Sequence, residues 1–344
     1  MAQHPIAALR KDLQNRGLLE KSAIKSWSKV GLLFVIVGLL YFAHIRLSLW
    51  WSLALLPLTG LFSTTLAMTG HEGVHSSACN SRWGNLSLAA IVFPLFAGMS
   101  MEYWREKHNV KHHAMPNVID KDPDIHGWPL AFSSVDYERS GGIMKFFQKH
   151  LQGLLFWPLT LFAGHSMRFE GIKYLISHPF TVSKRKRFNR VWALDSMMII
   201  LHFTFWIAVP IMAGITWWMV IGFYGLLWAL VGLFLSMIFI VGHAARPITY
   251  ECDENWRLQV ETSRRIKMGR IGSFFFVGLD YQIEHHLLPA ASHFSLPKIA
   301  PHVKKYAEDN GWNYEEIGFL KALWISTAYI NRAWREQPIV KLTA

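Results

Sequence analysis

Between Asp195 and Arg246 the chain reads SMMIILHFTFWIAVPIMAGITWWMVIGFYGLLWALVGLFLSMIFIVGHAA, residues 196–245, with no Lys, Arg, Asp or Glu. About 20 apolar residues in a helix cross the ~30 Å hydrocarbon layer of a bilayer, so this run is long enough for two crossings. Gly214-Ile215-Thr216 offers a turn between arms at roughly 192–213 and 217–243. Working outward, residues 30–70 hold a single charge, Arg46, which divides them into Val30–Ile45 and Leu47–Gly70. This reads as a second helical pair turning at His44-Ile45-Arg46. Its first arm is short for a span, so the helix is expected to begin within Ser26–Lys29.

The basic residues flank these runs: Arg10, Lys11, Arg16, Lys21, Lys25 and Lys29 before the first, Lys184, Arg185, Lys186, Arg187 and Arg190 before the second. Loops on the cytoplasmic side of membrane proteins carry such an excess. That accounts for the net charge of +12 without nucleic acid, for which no motif is present. The expected topology puts the N-terminus, 71–190 and 244–344 in the cytoplasm. Cys79 and Cys252 have no metal-ligand spacing and imply no disulfide framework. The polar N-terminal stretch is longer than the n-region of a signal peptide, so no removable targeting segment is expected. Two further apolar stretches, Trp83–Met101 and His150–Met167, contain Pro94 and Pro158 and are ambiguous between spanning and interfacial paths.

Of 17 histidines, seven fall in three groups. His71-Glu72-Gly73-Val74-His75 pairs rings at i and i+4. His108-Asn109-Val110-Lys111-His112-His113 places them at i, i+4 and i+5. Gln282-Ile283-Glu284-His285-His286 places an amide at i and rings at i+3 and i+4. Residues three and four apart share a helix face, so each group can offer ring nitrogens to one metal centre. At about 5% His, the H-x-x-x-H-H pattern arises by chance roughly 0.04 times in such a chain. His243, at the end of the last apolar run, is an eighth candidate ligand, and Gln282 a candidate for binding through a water. His44, His165, His178, His202, His293 and His302 stand alone and read as ordinary core or interfacial residues.

Eight imidazoles exceed what one ion holds, so two ions are implied. Imidazole suits Zn, Cu, Fe and Ni; structural zinc favours closed sites containing cysteine, which are absent. Two irons held by neutral rings keep a high positive charge, suited to activating dioxygen against an unactivated C–H bond. The Glu-x-x-His pairs of soluble di-iron carboxylate bundles occur once here, at Glu72–His75.

At these residues the chain resembles the membrane fatty acid desaturase family, whose signature is three histidine boxes in this order, the third often beginning in Gln. The resemblance includes Lys107–His113 with the trailing Asn117 and Asp120-Lys121-Asp122-Pro123-Asp124, and Asp280–Pro289, and it spans roughly residues 50–300. Gln282 is similar to the front-end and bacterial acyl-desaturase branches. Many front-end members carry a fused haem domain with a His-Pro-Gly-Gly motif; here His4-Pro5 is followed by Ile6-Ala7. The resemblance therefore implies a separate electron donor, such as a ferredoxin or cytochrome. It also implies a fatty acyl substrate carried on CoA, a carrier protein or a glycerolipid, with O2 as co-substrate and two iron ions as cofactor.

The boxes must meet on one side of the membrane, and box two lies between the two ambiguous stretches. Trp83–Met101 and His150–Met167 are therefore expected to be interfacial or re-entrant. The expected fold is an all-α integral membrane protein forming a single domain over 1–344. Its parts are a first hairpin (30–70) with box one at its end, a segment with box two (71–190), a second hairpin (191–243), and a segment with box three (244–344), capped by a cytoplasmic helical layer that carries the metals. The expected ligands are His71, His75, His108, His112, His113, His243, His285 and His286. Asp120, Asp122, Asp124, Asp280 and Glu284 are candidates to hold the far ring nitrogens.

Three other functions fit part of the pattern. A di-iron hydroxylase or ketolase of a lipid shares the first hydrogen abstraction. His71-Glu72-x-x-His75 is also the zinc-protease motif, with Glu as general base, but a protease leaves five clustered histidines unused. A metal transporter wants polar ligands along its spans, whereas these clusters sit at helix ends and in segments outside the spans.

Overall fold

The computed structural model describes residues 5–127, 129–178 and 190–335; Lys184, Arg185, Lys186 and Arg187 of the basic flank lie outside these. Among the described residues four helices are long and apolar enough to cross a membrane: Ala23–Arg46, Leu49–Val74, Arg190–Met212 and Trp217–His243. The helix Ala23–Arg46 starts earlier than expected, because the Ser22 hydroxyl caps it by accepting from the Lys25 N–H at 3.3 Å. It also runs through the expected turn to Arg46, and the chain reverses at Leu47-Ser48. Cations are favourable in a last helical turn, and Arg46 lies back over the Phe42 ring, so its charge ends the apolar run without ending the helix. In the second pair the reversal falls where the sequence places it, with Gly214 at φ +92°.

Chain packing separates two compact units. One holds the chain up to Lys21, Lys107–Leu159 and everything from Met237; the other holds Ser22–Glu106 and Thr160–Ser236.

In the second unit, Ala23–Arg46 packs along Leu49–Val74, joined by Tyr41 to Ser63 (3.0 Å) and by His44 to Ser52 and Thr59. Neither ambiguous stretch is a straight span. The helices Arg82–Ala97 and Met101–His112 meet at a bend of 112°. Pro94, which lacks an N–H, lies in a π-helical stretch, Ile91–Ala97, and Gly98 makes the turn at φ +67°. The second stretch breaks into Gln152–Thr160, which belongs to the first unit up to Leu159, and Ala163–Ser177 in the second.

In the first unit, the helix Pro5–Asn15 lays Ile6, Leu9 and Leu13 into a core with Ile283, Leu287, Ile299, Val303 and Trp312. This unit departs from a purely helical fold. His126–Gly127 pairs antiparallel with Leu130–Ala131, and Arg265–Lys267 pairs in parallel with Glu316–Gly318. The parallel pair sets Arg265 2.8 Å from Glu316 and backs the short box-three helix Gln282–Leu287.

Candidate metal centre

Box one closes the helix Leu49–Val74. The His71 and His75 rings, both buried, have centroids 4.4 Å apart. The helix end is packed so closely on its neighbour that a Cβ at Gly73 would stand 2.7 Å from the Ala89 nitrogen and 2.8 Å from the Asn85 carbonyl. Ser76, with φ 57°, then stops the helix.

Box two is not wound as an α-helix. Arg105–His112 is π-helical, and the His113 N–H donates to the His108 carbonyl, five residues back, at 2.9 Å. An α-helix turns about 100° per residue, which leaves i+5 about 140° from i. An i→i+5 register brings i+5 back over i. His108, His112 and His113 thereby share one side: the His108 and His113 Nε2 atoms are 3.2 Å apart, and the His108 and His112 rings stack at 5.2 Å.

Within the first unit, box two, box three and His243 converge. The ligand atoms of His112, His243 and His286 all lie within 4.8 Å of one another. Each of these rings is held from behind. His112 Nδ1 donates to Asp122, 3.0 Å from both carboxylate oxygens. His243 Nδ1 donates to the Thr262 carbonyl at 3.0 Å, and His286 Nδ1 to Gln259 Oε1 at 2.9 Å. With Nδ1 protonated, all three Nε2 atoms present lone pairs inward, and those of His243 and His286 are 3.1 Å apart. Two nitrogens each about 2.1 Å from one ion, at right angles, are about 3.0 Å apart. The donor set and its spacing fit a transition-metal cation. His285 completes the group, its ring 4.8 Å from His113 and stacked on His108 at 6.3 Å. Burial, with His112 nearby, pushes the His285 imidazole down to about 3, so it is neutral and able to coordinate at ordinary pH.

Gln282 lies against two of these rings. Its Nε2 is 2.8 Å from His243 Nε2 and 3.4 Å from His286 Nε2, while Oε1 is buried without a hydrogen bond. The expected acidic residues divide. Asp122 holds His112 and also accepts from the backbone of Asn117 and Asp124. Asp124 reaches His112 Nδ1 at 3.5 Å and binds Lys107 at 2.7 Å. The other three have different partners. Asp120 is exposed on Arg139, Asp280 accepts from the Ser273 hydroxyl at 2.5 Å, and Glu284 accepts from Tyr314 at 2.6 Å. Burial pushes the Glu284 carboxyl up to about 7, against the Tyr314 hydroxyl bond.

Two holders of the rings carry no signal in the sequence. Gln259 sits on the helix Asn255–Glu261; its Nε2 donates to the His113 carbonyl, which fixes the amide so that Oε1 faces His286. Thr262 contributes only a backbone oxygen. Asn117 adds a bond from its side-chain amide to the His243 carbonyl at 3.3 Å.

A mostly helical chain with candidate membrane spans and a buried cluster of imidazoles that could hold a metal ion defines an integral membrane protein with a candidate metal site. The chain belongs to the fatty acid desaturase family, whose model matches residues 48–318. It is 28% identical to Acyl-lipid (9-3)-desaturase of Physcomitrium patens, over 72% of this chain and 46% of the relative. It is 25% identical to Acyl-lipid (8-3)-desaturase of Thraustochytrium sp, over 76% and 58%. It is 26% identical to Fatty acid desaturase 3 of Homo sapiens, over 74% and 55%. The chain thus spans about half the length of these curated relatives.

Proposed function

We propose that this chain is an oxidoreductase that desaturates a fatty acyl chain, the whole chain acting as one catalytic domain. The observation that carries the reading is the set of three Nε2 lone pairs of His112, His243 and His286 facing one another, with every outer nitrogen held by an acceptor. Besides the Gln282 amide, which stands 2.8 Å from His243 Nε2 and 3.4 Å from His286 Nε2, three converging lone pairs suit a cation among the rings. We assign His112, His243 and His286 to one iron and His108 and His285 to a second, with His113 beside both, and take His71 and His75 as the remaining ligands. The place of box one in this scheme rests on the family signature and on the paired rings of His71 and His75.

Two bound irons, given O2 and two electrons, supply the oxidising power to remove one hydrogen from each of two neighbouring methylenes, with two protons taken up and two waters released. The residues of the chain bind and aim those ions. Asp122, Gln259 and the Thr262 carbonyl hold the tautomers of His112, His286 and His243, which raises the basicity of the coordinating nitrogens. Gln282 is assigned to bind through a water or to orient one. The electrons are assigned to a separate donor of the ferredoxin or cytochrome type, and the acyl group to CoA, a carrier protein or a glycerolipid.

The spans are read as two hairpins crossing the membrane, with the metal site on the cytoplasmic side. The basic residues at 10–29 support this orientation. The 112° bend between Arg82–Ala97 and Met101–His112 supports a re-entrant path for this stretch. A one-ion protease reading employs His71 and His75 alone and leaves the His112–His243–His286 set without a purpose.

The test is expression in a host of simple lipid composition, with mass spectrometry of the fatty acid methyl esters and metal analysis of the purified chain. New double bonds and two irons per chain are expected. New hydroxyl groups in place of double bonds replace the reading with a hydroxylase, and one zinc per chain removes it.

A further inference from the structure

The turn Gly98-Met99-Ser100 separates two helix ends inside the apolar second unit, and helix ends leave backbone groups without intrahelical partners. In a lipid environment those groups need partners from the protein. Here they find side chains of matching sign. Asp195, fully buried in the helix Arg190–Met212, meets the start of Met101–His112: its carboxylate accepts from the Ser100 hydroxyl at 2.7 Å, the Met101 N–H at 3.2 Å and the Glu102 N–H at 3.0 Å. At the end of Arg82–Ala97 the partners are cationic or neutral donors. Arg168 Nε donates to the Ala97 carbonyl at 2.8 Å, and His202 Nδ1 to the Leu95 carbonyl at 3.1 Å. Arg168 is 4% exposed and stacks on Trp228 at 4.1 Å. His202 is fixed on its other side by the Tyr224 hydroxyl at 2.9 Å. A carboxylate at a helix start and a guanidinium at a helix end both complement the helix dipole. Gly98 admits this closure, since a Cβ there would lie 2.6 Å from the His202 ring.

We propose that Asp195, with Arg168 and His202 on the other side of the turn, is a positioning residue that fixes where the box-two helix begins, and so where His108, His112 and His113 stand around the metals. The helix capped at Ser100 continues without interruption into box two, so a shift at its start moves the rings. A displacement of well under 1 Å changes whether lone pairs meet on one ion. The metal half of this inference rests on the function proposed above; the capping half does not.

The experiment uses the full chain purified in detergent, as wild type, Asp195→Asn and Asp195→Ala, with hydrogen exchange of the apo protein and titration by cobalt(II). Loss of the cap is expected to raise exchange of the amides within 101–108 by about tenfold in Asp195→Ala, with Asp195→Asn between it and wild type. Cobalt is expected to bind the variants more weakly by about tenfold and with an altered visible spectrum. Unchanged exchange at 101–108 in both variants overturns the capping role. Raised exchange with a wild-type cobalt spectrum and affinity overturns the positioning role and leaves a purely structural cap. Wild type that binds no cobalt through imidazole overturns the metal reading and the positioning role together. Should Asp195→Ala not fold, Asp195→Asn, which retains one acceptor oxygen, decides by the same criteria.

Discussion

His202 and His286 are both buried histidines, yet their surroundings differ in kind. His202, on a span, has each ring nitrogen bonded to an ordinary partner: the Leu95 carbonyl on one side and the Tyr224 hydroxyl on the other. His44 is likewise shared between Ser52 and Thr59. His286 has one nitrogen on Gln259, while the other faces the nitrogen of His243 at 3.1 Å, with the Gln282 amide 3.4 Å away. A structural histidine is satisfied twice by protein. A coordinating one is held from behind by an acceptor, and its second nitrogen converges with other ring nitrogens on one point. That contrast assigns roles here better than burial does, because His202 and His286 are both buried.

The contrast can be attacked directly, beginning where the effect is largest. His286→Ala and His112→Ala are expected to abolish new double bonds, a loss of at least a hundredfold, and to lower metal content; His44→Gln is expected to stay within about twofold of wild type. Equal losses at His44 and His286 would erase the distinction. Next come the holders of the rings. Asp122→Asn should lower metal affinity by about 10–100-fold while the purified protein remains folded, as read by metal titration. Gln259→Leu removes the acceptor of His286 Nδ1 and the donor to the His113 carbonyl, and a loss of about tenfold is expected by the same measurement. If Gln259→Leu binds metal as tightly as wild type, the tautomer of His286 does not depend on that amide. The smallest effect is on stability alone. Gly73→Ala pushes a methyl into the Ala89 backbone and should cost about 1–3 kcal/mol, seen as a lowered Tm with metal affinity reduced only in proportion.

The spans and the ring clusters are legible in the sequence because each is a local pattern. A run without charges and a repeat of His at i, i+4 both survive without knowledge of the fold. The turn at Gly214 is legible for the same reason. The reversal after Arg46 is misplaced by two residues, since a cation at a helix C-terminus reads as a boundary while physically it belongs to the last turn. What stays hidden is contributed from afar by single residues of common type. Gln259 and the Thr262 carbonyl reach their rings only through folding. Asp195 reads merely as the last charge before an apolar run, although it closes a helix almost a hundred positions earlier in the chain. Among the expected acids, Asp120, Asp280 and Glu284 lie near the boxes in sequence but bond to Arg139, Ser273 and Tyr314. Proximity along the chain does not predict direction.

The wide winding of 105–112 has a consequence for the length of the chain. A regular α-helix could be restored there by removing a single residue, for instance Val110, and the shortened segment would gain tighter backbone bonding. In the shortened α-helix His112 and His113 would stand at i+3 and i+4 from His108 and still share a face, so the deletion would change the spacing of the rings along the helix rather than the side they occupy. At this position the protein keeps one residue more than a good helix wants.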